Sequence, residues 1–264
     1  MSPKTLVPPH QSTGSGEPVL LLAPAATRSA VWSLHQVPAL RAAGYRALTY
    51  DHRGTTDAFA PDGPWRFADL VADAARLVQE AAGEPCHLVG SSLGALVAQR
   101  LAVLRPDLVR SITLLGTRSR TPAFTAALAG ANAGAARSGE VPVDYAAAAT
   151  MTQLFSPATL LDDRFAKEWL DLMTLRPIRG DGIARQYLAT LTVDDWADEL
   201  SAIDCPTLVV GFPFDTVMPP ALGREVADAI DGARYEEVAD CGHFGFLERP
   251  TEVNTLLLDF LAKA

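Results

Sequence analysis

Cys86-His87-Leu88-Val89-Gly90-Ser91-Ser92-Leu93-Gly94-Ala95-Leu96-Val97-Ala98-Gln99-Arg100-Leu101 is the stretch whose reading decides the fold. Its first four residues are short and apolar enough for a buried strand, and those after Gly94 carry the apolar spacing of a helix face. Between them lies Gly90-Ser91-Ser92-Leu93-Gly94, a Gly-x-Ser-x-Gly at a strand-to-helix turn. Such a turn is sharp enough that side chains at Gly90 and Gly94 would strike neighbouring backbone, while Ser92 is held strained with its hydroxyl presented as a nucleophile. Chance alone produces this spacing on the order of once in ten chains of this length, so the surroundings must decide its meaning.

On both sides of the motif, strands and helices alternate. The turn-rich residues 8–18 read as a surface lead-in. Val19-Leu20-Leu21-Leu22-Ala23 is a continuous apolar run, as in a strand buried on both faces. A helical stretch from Val31 to Ala43 precedes a second strand, Tyr45-Arg46-Ala47-Leu48-Thr49-Tyr50, and a further helix runs from about Phe67 to Ala82. Ser111-Ile112-Thr113-Leu114-Leu115 is the strand after the motif helix. The alternation predicts an α/β fold, a mostly parallel central sheet flanked by helices, with sites beyond the strands' carboxyl ends. It stops after Gly116. Residues 117–202 show only helical patterns, and Thr207-Leu208-Val209-Val210-Gly211-Phe212 resumes the sheet. The chain therefore divides into a core, 1–116 and 203–264, and a helical insertion, 117–202, placed to roof the site as a lid. Its alanine-rich part, Ala123 to Ala149, reads as loosely packed.

Composition narrows the classes. A chain of 264 residues with nearly half its residues apolar can bury a substantial core. Its net charge of −9 argues against a nucleic-acid partner, which needs a basic face. No segment approaches eighteen uninterrupted apolar residues, so no membrane span is expected. Cys86, Cys205 and Cys241 are odd in number and lack metal-ligand spacing. They read as reduced thiols of a cytoplasmic protein that uses neither metal nor cofactor.

A serine nucleophile needs a base and a group to orient that base. When serine, acid and base occur in that chain order, Asp215 and His243 stand at the right points. Asp215 follows the strand ending at Phe212, and His243 sits in Asp240-Cys241-Gly242-His243-Phe244 before the last helix. A loop histidine beside glycine is ordinarily a surface residue, but position and order reverse that reading here. His10, His35, His52 and His87 fit less well, as do Asp204 and Asp240, and Asp194 and Asp195 in the insertion are the reserve acids.

The chain resembles the α/β-hydrolase superfamily, in particular its capped esterase, lactonase and perhydrolase-like members, over nearly its whole length. Tyr50-Asp51-His52-Arg53-Gly54, the serine turn, Pro206-Thr207-Leu208-Val209-Val210-Gly211 with Asp215 and Pro219, and Gly242-His243-Phe244 with Leu247-Glu248-Arg249-Pro250 carry the resemblance. It implies Ser92 as nucleophile, His243 as general base and then acid, and Asp215 as its orienter. It also implies an oxyanion hole formed by the N–H groups of Ala25 and Leu93. Two departures stand out. Ala23-Pro24 replaces the usual His-Gly of the oxyanion loop, and Thr55-Thr56-Asp57 replaces a small residue, glycine and serine. The first reads equally as drift or as a reshaped acyl pocket, and the second has no mechanistic account at this level.

The chemistry expected is acyl transfer through a covalent acyl-enzyme. Water as acceptor makes the chain an esterase, lactonase or thioesterase acting on a small-molecule substrate. Another nucleophile makes it an acyltransferase, drawing its acyl group from a thioester on an acyl carrier protein in secondary metabolism. A lyase, a cofactor-free oxygenase and a ligand receptor on the same fold are the other classes. Phe212, Phe214, Phe244, Phe246, Trp169 and Trp196 are the candidates for an apolar pocket, although aromatics are more often core. Arg176, Arg179 and Arg185 read as solvated helix charges. Oligomeric state is not legible at this level.

Overall fold

The computed structural model describes residues 7–56, 59, 63–192 and 196–264. Its sheet joins β1 (His10–Thr13), β2 (Pro18–Leu22), β3 (Arg46–Tyr50), β4 (Cys86–Ser91), β5 (Val109–Leu115), β6 (Thr207–Gly211) and β7 (Arg234–Glu237). The spatial order is β1-β3-β2-β4-β5-β6-β7, with β1 antiparallel to β3 and every other pair parallel. The apolar runs are central strands: every residue of β2, β4 and β6 is buried, as both faces must be when helices cover them. β1 corrects the reading of residues 8–18 as a plain lead-in. It is a short polar edge strand paired to β3 from His10↔Tyr50 to Thr13↔Ala47. Its three exposed residues leave no alternation to detect.

The stretch from Val31 to Ala43 is also two pieces, a 3-10 turn over Ser29–Leu34 and α1 (Gln36–Ala42), parted at His35. The helix from Phe67 is α2 (Phe67–Leu77), which widens into a π turn over Val78–Ala82 and stops at Gly83 in a left-handed conformation. After the serine turn comes α3 (Leu93–Leu104), buried around most of its circumference at the centre of one core layer. Each leucine removed from water in that layer contributes on the order of 2 kcal/mol. The second layer, on the other sheet face, gathers Trp32, Leu40, Phe246 and Phe260. α10 (Pro220–Asp228), α11 (Gly245–Glu248) and α12 (Pro250–Leu261) complete the flanks.

Between β5 and β6 the regular elements among the described residues are all helices: α4 (Ala123–Ser138), α5 (Val143–Leu154), α6 (Pro157–Leu160), α7 (Asp163–Leu175), α8 (Asp181–Thr190) and α9 (Ala197–Leu200). The alanine-rich part forms α4 and the first half of α5, with few buried residues in either helix. The small buried faces of Ala129 and Ala133 let α4 run close beside α8.

The chain passes from β2 to β3 on one side and then returns to place β4 on the other. The crevice beyond the carboxyl ends of β2 and β4 is thus the sheet's switch point, where ligands bind in open α/β sheets. Leu22 pairs with Gly90 across it, so the loop after β2 lies beside the serine turn. Close approach there requires glycine. A Cβ on Gly94 would overlap the Leu22 carbonyl, and one on Gly90 would overlap the Gly94 backbone. Gly94→Ala is expected to cost about 3 kcal/mol or more in urea denaturation. Gly134→Ala, inside α4 with open space around it, should instead stabilise by about 0.5–1 kcal/mol.

Candidate active site

Ser92 occupies φ 54°, ψ −117°, a conformation that costs a non-glycine residue about 1–3 kcal/mol and persists only where surroundings dictate it. The surroundings are visible. Its N–H donates to the carbonyls of Leu115 (3.1 Å) and Gly116 (3.2 Å) at the end of β5, and its own carbonyl accepts from Ala95 and Leu96. The side chain is buried to within a few per cent.

Asp215 and His243 come together from the loops after β6 and β7. His243 Nδ1 lies 2.6 Å from Asp215 Oδ2, both buried. Against a carboxylate only the Nδ1–H tautomer makes this bond, so Nε2 is left as a basic nitrogen. The other carboxylate oxygen accepts from the backbone N–H groups of Val217 (2.8 Å) and Met218 (2.7 Å), which fixes its plane. Gly116 links this pair to the serine. Its carbonyl takes the Ser92 N–H, it sits at φ +58°, and a Cβ there would lie 3.0 Å from Asp215 Oδ2 and 3.5 Å from His243 Nδ1. Any side chain at 116 would wedge into the Asp215–His243 pair.

Further residues that sequence reasoning passed over hold the histidine loop. Buried Glu248 accepts from Gly242 N–H (2.6 Å), Ser156 N–H (3.0 Å) and Ser156 Oγ (2.7 Å). Phe244 N–H donates to the Leu154 carbonyl at the end of α5. The insertion therefore clasps the His243 loop. In the sequence Glu248 stands only within Leu247-Glu248-Arg249-Pro250, and no local signal separates such a buried anchor from a surface glutamate.

On the other side of the crevice, Ala23-Pro24-Ala25-Ala26-Thr27 follows β2, with Ala26 at φ 53°. His52, fully buried, donates from Nε2 to the Ala23 carbonyl (3.0 Å) and accepts at Nδ1 from Tyr50 Oη (3.2 Å). The ring is neutral in that arrangement. Leu93 is the first residue of α3, so its N–H has no partner within the helix.

The aromatic candidates separate. Phe244 stacks beside His243, with centroids 5.9 Å apart, and meets Phe155, which also packs on Trp169. Phe155, overlooked in the sequence, joins the two. Phe212 and Phe246 are fully buried in the second core layer. Phe214 is half exposed. Trp196 is held elsewhere, by Gln99 Oε1 (3.2 Å) and against Phe67 and Arg100. It lines a groove of about 640 Å³ with Trp65, Arg66 and Arg185 whose lining includes none of Ser92, Asp215 and His243. Asp194, Asp195 and Asp57 lie outside the described residues. Burial pushes the Cys241 thiol up to about 12, so it stays protonated two residues from His243.

A strained serine after a parallel strand and a buried histidine–aspartate pair beyond the next strands are the features of the α/β class of hydrolases. The comparisons agree: residues 18–250 match the family model for the alpha/beta hydrolase fold, and the chain belongs to this family. It is 38% identical to a Mycobacterium tuberculosis protein provisionally named non-heme bromoperoxidase BpoC, over 96% of this chain and 97% of that one. The crystal structure of that protein superposes with a TM-score of 0.91, covering 97% of this chain and 95% of the other. A rhodomycin D methylesterase, DnrP, from Streptomyces peucetius is 28% identical over 88% of both chains. A thermophilic esterase from Thermogutta terrifontis, solved with malate bound, is 25% identical with a TM-score of 0.85, over 97% of this chain and 93% of that one. The chain is an enzyme of the hydrolase kind. No helix among the described residues is long and apolar enough to cross a membrane.

Burial lowers His52 from the ordinary 6.5 to about 4, opposed by its bond to Ala23 and by Asp51. The unfolded chain thus binds the extra proton between those values. Stability is fully present above about 6.5 and falls as pH drops towards 4, by about 3 kcal/mol at most. Buried His87 is lowered in the same direction. Urea denaturation across that window should show the decline, and His52→Gln should flatten its share of the slope.

Proposed function

We propose that the enzyme hydrolyses a small carboxylic ester with an apolar acyl group, using Ser92, His243 and Asp215. The observation that carries this reading is the buried His243–Asp215 pair resting on Gly116, the residue whose carbonyl also holds the Ser92 N–H. Ser92 Oγ attacks the ester carbonyl carbon while its proton passes to His243 Nε2. The carbonyl oxygen takes the electron pair and is met by the N–H groups of Ala25 and Leu93, each such donor being worth about 3 kcal/mol. Collapse expels the alcohol, which leaves with the proton from His243. Water then repeats the sequence on the acyl-enzyme and releases the acid. Asp215 keeps its bond to Nδ1–H and steadies the imidazolium. Phe244, Phe155 and Trp169 form an apolar wall against which the acyl chain lies.

A fluorophosphonate probe should label the wild-type protein, and Ser92→Ala and His243→Ala should remain unlabelled while folded. Asp215→Asn, which can place an amide N–H donor where Nδ1–H needs an acceptor, should lower kcat for p-nitrophenyl butyrate by about 10²–10⁴-fold. Folded wild-type protein that resists the probe would remove Ser92 from the mechanism. Undiminished turnover in Asp215→Asn would move the acid elsewhere.

A further inference from the structure

We propose that Gln186, carried on α8 of the insertion, is a positioning residue for the oxyanion hole, holding the loop that presents the Ala25 N–H. Its side chain is fully buried and bonded at both ends. Oε1 accepts from the Ala26 N–H at 2.8 Å, and Nε2 donates to the Arg53 carbonyl (3.0 Å) and to Thr55 Oγ1 (2.7 Å). One amide thus ties the loop after β2 to the loop after β3. The inference rests on Ala25 and Leu93 being the oxyanion donors.

The peptide that carries the Ala25 N–H joins residues 24 and 25, and both of its neighbours are tethered. On one side His52 Nε2 grips the Ala23 carbonyl, and on the other Gln186 grips the Ala26 N–H. Pro24 has no N–H and a fixed φ, so it adds stiffness without competing for either tether. Ala26 is in the left-handed region, a conformation alanine avoids unless held. With the Ala26 N–H consumed by Gln186 and Pro24 donating nothing, Ala25 is the next free donor along the loop.

The far end of the clamp is itself anchored. Gly54 and Gly182 pack backbone to backbone, and a Cβ on Gly54 would lie 2.7 Å from Gly182 Cα. This contact seats the first turn of α8 on the Arg53 loop. Arg53 is fixed by a two-pronged ion pair to buried Asp73, 2.7 Å in each arm. Thr55 then has a purpose: its hydroxyl receives the second Gln186 proton. The threonine that departs from the family pattern is the partner that this glutamine uses. The insertion is therefore part of the oxyanion geometry and not only a roof over it.

An oxyanion donor displaced by a fraction of an ångström loses transition-state stabilisation without losing ground-state binding. Gln186→Ala should lower kcat for p-nitrophenyl butyrate tenfold or more with KM within about twofold. It should also weaken a trifluoromethyl ketone, whose tetrahedral adduct places an oxyanion in the hole, by a similar factor. Thr55→Val, which keeps shape and removes the hydroxyl, should lower kcat about threefold, and Thr55→Ser should restore it. The Thr55 pair carries the test if Gln186→Ala fails to fold. A melting temperature lowered in Gln186→Ala or Thr55→Val, with kcat and ketone affinity of the folded protein unchanged, would overturn the positioning role. It would leave the Ser92 chemistry standing. Wild-type protein inert to both ester and fluorophosphonate would instead bring down the underlying reading, and this one with it.

Discussion

Ser92 at φ 54°, between a fully buried strand and a helix buried around most of its circumference, is the constraint on which the rest of the molecule is organised. The turn exists only because β4 and α3 can approach at Gly90 and Gly94, and because β2 brings its Leu22 carbonyl against Gly94. The same packing sets the loop after β2 beside the serine. The strain of the turn is offset by two hydrogen bonds from its N–H to the end of β5 and by the apolar burial of α3. The serine turn and the placement of the loop after β2 are thus consequences of one sheet register, Leu22 opposite Gly90.

The Asp215–His243 pair depends on a different set of contacts. β6 and β7 deliver Asp215 and His243 from neighbouring loops, and the 2.6 Å bond between them is kept short by backbone donors behind the aspartate and by Glu248 beneath the histidine loop. Glu248 sits under the loop at the price of desolvating a carboxylate. Three hydrogen bonds compensate, two of them from Ser156 in the insertion. Removing any one donor leaves a buried charge less satisfied, so the insertion and the histidine loop are energetically one unit.

What could be read in the sequence was whatever chemistry lies in a few consecutive residues. The serine turn, the aspartate after an apolar strand and the histidine beside glycine each announce themselves within about ten positions, and the buried strands do so by unbroken apolar runs. β1 escaped because an exposed polar edge strand has no periodicity. Gly116, Phe155, Gln186 and Glu248 escaped for another reason: each matters through a partner tens to over a hundred positions away, and alone each is an ordinary glycine, phenylalanine, glutamine or glutamate. Trp196 shows the converse. Its place in the insertion put it near the site in sequence terms, but its indole N–H goes to Gln99 and its ring to Phe67 and Arg100.

The two departures from the family pattern also change meaning once the structure joins them. Ala23-Pro24 leaves the loop after β2 without the side chain and the flexibility that a His-Gly pair would supply. The loop's conformation must then be imposed from outside, and His52 and Gln186 grip its two ends. Thr55 completes the grip on Gln186. The loop that carries the first substitution and the hydroxyl of the second thus share one buried amide, through Ala26 and Thr55. In the reaction we propose, a loop stiffened by proline and held from the insertion gives up adaptability, and in return presents its donor already oriented, so little reorganisation remains to be done as charge develops.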